Sequence, residues 1–220
     1  MNNKKIYIVI IVILLLIIVF FAYNQFFNIK QSDNNYGDLG QTFKGDLIIG
    51  NEKAPITIVE YYSYLCSHCK TFEDETLPKI TENYIITGKA KLVLRPFFLP
   101  GYNTLGQAVL CANDQDKFLE YHNYLFANND KIDSINALET FAETVGIDKE
   151  KFSKCLESEK YKSKAEELYN QGIADFKKAN IPTDQQGTPS FFINGEAIIG
   201  AMPYDDFVKI IEEKLANQYE

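Results

Sequence analysis

The pair Cys66-Ser67-His68-Cys69 comes shortly after a β-branched and aromatic run, Ile56-Thr57-Ile58-Val59-Glu60-Tyr61-Tyr62, and opens a stretch with helical spacing. Such a run suits a central strand, because these side chains pack well on a pleated surface. Over residues 66–86, Phe72, Leu77, Ile80 and Tyr84 share one helical face. Pro78 is expected to kink this helix, since proline has no N–H to give to helical bonding. Both thiols are thereby placed where a strand hands over to a helix, which fits a layered α/β fold.

The remaining pattern agrees. Residues 91–98 (Lys91-Leu92-Val93-Leu94-Arg95-Pro96-Phe97-Phe98) read as a strand that nears an edge or its end at Pro96. From 103 to 180 the spacing is helical, with apolar stripes such as Leu105, Ala108, Val109 and Ala112, a C-cap at Gly146 and an N-cap at Asp148. Strand-like Ser190-Phe191-Phe192-Ile193 and Glu196-Ala197-Ile198-Ile199 flank Asn194-Gly195, the signature of a two-residue hairpin. Pro203 then opens a last amphipathic helix. Without the helical block, a β-α-β half and a β-β-α half remain.

The N-terminus carries Lys4 and Lys5 ahead of an apolar run of 18 residues, 6–23. A cleaved leader has an apolar core of about 7–15 residues and a spanning helix about 17–25. Residues 1–23 are therefore read as a signal-anchor in preference to a cleaved signal peptide, with the rest of the chain outside the cytoplasm on the positive-inside rule. Residues 24–45 are polar and read as a linker, which leaves 46–220 for one folded domain. A formal net charge of −8 argues against nucleic acid as a partner.

An exported chain lives where disulfides persist, and four cysteines are available, Cys66, Cys69, Cys111 and Cys155. Cysteines at i and i+3 of a helix start lie close enough to bridge, and the first meets the positive end of the helix dipole. That favours thiolate, the nucleophilic form; His68 is expected to lower the pKa further by charge or a hydrogen bond. The same pair also occurs in zinc sites and structural disulfides. Zinc would need two more ligands, and the chain offers only His68, His122 and two separated cysteines. Cys111 and Cys155 fall on apolar faces of insert helices and are expected to form a structural disulfide in preference to two buried thiols. Glu60 interrupts the strand; it is either a desolvated base for Cys69 or an edge residue facing water. Gly187-Thr188-Pro189-Ser190 opens a strand with a proline, as a cis bond or a strand edge would allow. His122, a lone histidine, is assigned to packing or the surface.

Taken together, Val59-Glu60-Tyr61-Tyr62-Ser63-Tyr64-Leu65-Cys66-Ser67-His68-Cys69 resembles the active-site segment of the DsbA-like disulfide oxidoreductases. Gly187-Thr188-Pro189-Ser190-Phe191-Phe192-Ile193-Asn194-Gly195 is similar to their cis-proline strand and hairpin. Leu110-Cys111-Ala112 and the segment from Lys117 to His122 are similar to their helical insert. The resemblance implies a thioredoxin-like α/β fold with a helical insertion at about 103–180, between the two halves. It implies Cys66 as nucleophile, Cys69 as resolving cysteine, His68 as the tuning residue, Glu60 as buried acid and Pro189 as cis-proline after Thr188. Ser67 stands where the best-known family motif has proline. The implied activity is the introduction of disulfides into reduced or unfolded exported proteins in the periplasm or another extracytoplasmic space, without a bound cofactor. A DsbB-like membrane protein would reoxidise the pair. Reductase or isomerase activity at the same site, and a non-catalytic membrane-tethered binding module, are the alternatives.

Overall fold

The computed structural model describes residues 39–43, 45–99 and 101–217. The apolar run 6–23 lies outside the described residues; among these, no helix is long and apolar enough to cross a membrane. Five strands form one sheet in the order β1-β3-β2-β4-β5: β1 (Leu47–Gly50), β2 (Ile56–Tyr62), β3 (Ala90–Pro96), β4 (Ser190–Ile193) and β5 (Glu196–Ile199). β2 is central, parallel to β3 and antiparallel to β4. β1 pairs antiparallel with β3, so Pro96 ends an internal strand and lies on no edge. Sequence reading had placed no strand at β1, whose four residues lack a hairpin signal like the Asn194-Gly195 that marks the equally short β4 and β5.

The helix after β2, α1, covers residues 67–85 and passes Pro78 by widening. The turn Phe72–Thr76 is of π type, and the Leu77 N–H reaches back five residues to the Phe72 carbonyl. The insert contributes α2 (Asn103–Asn113), α3 (Phe118–Ala127), α4 (Ile135–Thr144), α5 (Lys149–Glu157) and α6 (Lys162–Lys178); α7 (Tyr204–Ala216) closes the chain. Cys111 on α2 and Cys155 on α5 are joined, with S–S 1.99 Å and Cα–Cα 5.9 Å. Neither is then a free thiolate ligand.

The alternation of β2 separates two cores. Ile56, Ile58 and Tyr62 face α1, α7 and the α2–α5 part of the insert, while Val59 and Tyr61 face Phe176 of α6. Helix α6 approaches closely because Gly172 has no side chain; a Cβ there would lie 2.6 Å from Cδ2 of Phe97. On that face Arg95 is buried and held by Asp46, its Nη2 2.8 Å from Oδ2. It also donates to the Tyr61 hydroxyl and the Gln41 carbonyl. Its guanidinium stacks on Phe43, so the last residues of the segment read as linker are anchored to the sheet. The hairpin turns at Asn194 and Gly195, φ 42° and 89°, the left-handed pair such a turn needs.

Candidate active site

The strand β2 ends at Tyr62, and four residues later Cys66 occupies the N-cap position of α1 with extended backbone, φ −97° and ψ 117°. Its side chain therefore lies beside the first, unpaired N–H groups of the helix. Cys66 is half-buried and Cys69, one turn on, is fully buried; both are free thiols. The Cys66 thiol donates to the Thr188 carbonyl at 3.2 Å, and the Thr188–Pro189 bond is cis. Residues separated by about half the chain thus meet at the sulfur.

The Cys66 thiol is lowered to about 5. The largest cause is a hydrogen bond from the Cys69 thiol; burial opposes it, and the Thr188 side chain and the N–H groups of Cys69 and His68 add to it. Each of these favourable partners stabilises the anion, whereas the Thr188 carbonyl can accept only from the protonated form. His68 is exposed and acts here through its main-chain N–H, where sequence reading had looked to the imidazole. Cys69 goes the other way. Burial, the bond it gives Cys66 and the Glu60 charge hold it well above the ordinary thiol range.

Glu60 lies on the central strand on the face of Ile58 and Tyr62, fully buried, and neither carboxylate oxygen has a hydrogen-bond partner among the described residues. Of the two readings left open by sequence, the water-facing edge position is removed by its place between β3 and β4. Burial first, then the charges of Glu73 and Cys66, push its carboxyl well above the usual range. A carboxyl raised in this way is suited to exchange a proton with a thiol.

Three large hydrophobic side chains stand exposed around Cys66. Leu65, Leu99 and Tyr102 are 45%, 61% and 53% exposed. Together with Phe98, Cys66 and Thr188 they line a groove of about 360 Å³. Sequence reading missed this groove and also missed a buried polar chain behind the site. There His122 Nδ1 meets the Tyr64 hydroxyl at 2.8 Å and Nε2 meets Glu73 Oε1 at 3.2 Å. One signal was available: Glu73 follows Cys69 by one helical turn, on the same face.

A five-stranded mixed sheet with a helix-capping dithiol against a cis-proline defines a thioredoxin-fold thiol–disulfide redox protein. Comparison with known proteins supports that class. The family model described as thioredoxin matches residues 42–213. Disulfide bond formation protein D of Bacillus subtilis is 28% identical over 201 residues, covering 87% of each chain. A protein-disulfide oxidoreductase of Rickettsia felis is 30% identical over 188 residues, 81% of this chain; the match spans 64% of that longer protein. The crystal structure of oxidised BdbD from Bacillus subtilis superposes with a TM-score of 0.70 at 25% identity, covering 81% of this chain and 97% of that one. The chain belongs to the thioredoxin family, in its DsbA-like branch of thiol–disulfide oxidoreductases.

Proposed function

We propose that this chain works outside the cytoplasm and introduces disulfides into reduced exported proteins, with residues 1–23 as leader or anchor, 24–45 as a tether and 46–220 as the redox domain. The observation that carries the reading is the opposite treatment of the two thiols: Cys66 half-buried, open to a groove lined by Leu65, Leu99 and Tyr102, and lowered to about 5, Cys69 buried and raised. A stabilised thiolate leaves readily and favours the dithiol state, which makes the disulfide a strong oxidant.

In the forward direction a substrate thiolate attacks Cys66 Sγ of the Cys66–Cys69 disulfide. The S–S bond breaks, Cys69 leaves as a thiolate, and Glu60 gives it a proton. A second substrate thiolate then attacks the substrate sulfur of the mixed disulfide and expels Cys66 as its stable anion. The substrate loses two electrons and the pair gains them. Thr188 and Pro189 form the wall against which an extended substrate lies, and Leu65, Leu99 and Tyr102 receive its apolar side chains. His68 completes the helix start through its N–H. Cys111–Cys155 braces the insert. The reduced pair passes its electrons to a DsbB-like, quinone-linked membrane partner.

Equilibration of the pair with glutathione tests direction. A poise near that of DsbA, about −120 mV, is expected. A poise near about −270 mV, where thioredoxin lies, overturns the oxidase reading in favour of a reductase. Full function in Cys66→Ala would leave only a binding module.

A further inference from the structure

His122 comes from the insert, yet both of its ring nitrogens are engaged by the thioredoxin-like part of the fold. Nδ1 contacts Tyr64, in the segment leading to Cys66, and Nε2 contacts Glu73, one turn beyond Cys69 on α1. The Tyr64 hydroxyl continues to that of Tyr62 at 3.2 Å. The imidazole is buried and wedged among the rings of Tyr62, Tyr64, Phe118 and Phe126, at centroid separations of 5.0–5.4 Å. One tautomer satisfies both partners: Nε2–H donates to the Glu73 carboxylate and Nδ1 accepts from the Tyr64 hydroxyl. The Glu73 side chain is only 8% exposed, and this donor gives the nearly buried carboxylate a hydrogen-bond partner that fixes its position.

The titratable groups gathered here are Glu60, Tyr62 and Tyr64 from β2 and its extension, Cys66, Cys69 and Glu73 from α1, and Tyr121 beside His122 on α3. The negative charge of Glu73 raises Glu60, Tyr62 and Tyr64 alike; it is among the main causes for neither Cys66 nor Cys69, so it bears on the second thiol through Glu60. Glu73 also lines a separate groove, of about 510 Å³, between α1 and α3. The chain of bonds therefore runs from beneath the dithiol to the rim of the molecule.

We propose that His122 is a positioning residue for the redox site: its Nε2 contact fixes the Glu73 carboxylate, whose charge acts on Glu60, and so sets how readily Glu60 takes the Cys69 proton, leaving Cys66 untouched. The inference rests on the exchange reading above. It gives the insert a part in the chemistry, with the first thiol tuned by the helix start and the second tuned across the domain.

Reaction of the reduced full-length chain with 5,5′-dithiobis(2-nitrobenzoate) separates the two thiols. The Cys66 thiolate attacks the reagent, releases one nitrothiolate and leaves a mixed disulfide. Cys69 then passes its proton to Glu60, attacks Cys66 Sγ, expels the second nitrothiolate and closes the Cys66–Cys69 disulfide. The pH midpoint of the second release is the readout. Removing the neighbouring charge by Glu73→Gln is expected to lower it by about one unit, the usual size for a nearby charge. His122→Phe deprives Glu73 of its donor and is expected to lower it in the same direction. His122→Phe/Glu73→Gln shifts it no further than Glu73→Gln alone, and His122→Gln, which keeps a donor for Glu73, restores the wild-type midpoint. The first-release midpoint stays within about 0.3 units throughout, well inside the shifts a nearby charge produces. An unmoved second midpoint in Glu73→Gln, or additive shifts in the double variant, overturns the proposal; Glu73→Gln, nearly isosteric, carries the test if His122→Phe does not fold. Should the wild-type chain show no second release at all, the exchange reading itself fails, a separate result.

Discussion

The lowered Cys66 thiol carries a stability signature that can be measured without a substrate. In the unfolded chain this thiol titrates near about 8.5; in the reduced folded protein it titrates at about 5. The folded-state value is depressed, so its stabilisation is complete above the unfolded value and is lost as pH falls through the folded one. The full gap corresponds to about 4.8 kcal/mol at about 1.36 kcal/mol per unit. At pH 7 only the two units above the folded value count, about 2.7 kcal/mol. Cys66 is half-exposed, and solvent screening cuts this by about half, to ~1–1.5 kcal/mol. The thiolate exists only in the reduced form, so the same term makes the disulfide more oxidising by about 20–30 mV. The assay is urea denaturation of the reduced wild type and of reduced Cys66→Ala at pH 4, 5.5, 7 and 8.5. Lost packing in the variant gives a constant offset; the thiolate gives a difference that grows with pH, from nothing at pH 4 to ~1–1.5 kcal/mol at pH 7. A difference that is flat across this range refutes the anionic Cys66 and, with it, the oxidant.

Three other variants give four expected outcomes. Glu60→Gln slows the second nitrothiolate release by about 10²-fold, the usual weight of one acid–base group. Because the Glu60 carboxyl is raised, its cost to the fold is absent below about 4.3 and grows as pH rises, so the same variant gains stability toward neutral pH; equal stability at pH 4 and 7 would contradict this. Cys111→Ala/Cys155→Ala opens a loop with a separation of 44 residues and is expected to cost about 4 kcal/mol in the chain-entropy account, read by denaturation under non-reducing conditions. Gly172→Ala drives a methyl into Phe97 and Tyr61, with contacts of 2.6 and 3.1 Å, and lowers stability by about 1–3 kcal/mol, checked by thermal melting.

The sequence alone determined the order of strands and helices from β2 onward, the dithiol at the strand–helix junction and the hairpin at Asn194-Gly195, because each depends on local chemistry: β-branched runs, helical spacing, and residues that accept left-handed backbone. It determined that Glu60 interrupts an apolar strand but not which way that strand faces water, since burial belongs to the neighbouring strands β3 and β4. β1 was invisible for the same reason: four residues become a strand only by pairing with β3. The partners of Cys66 were half-legible. Cys69 and the N–H groups of the helix start follow from spacing, whereas Thr188, at a sequence distance of 122, was joined to it only by likeness to a family. Tertiary structure alone decided the fate of His122. A lone histidine on a helix has no period and no neighbour that announces a role, and its meeting with Tyr64 and Glu73 needs the insert folded down onto α1. Short-range patterns are written in adjacent residues; which buried charges face one another is settled only when distant elements pack.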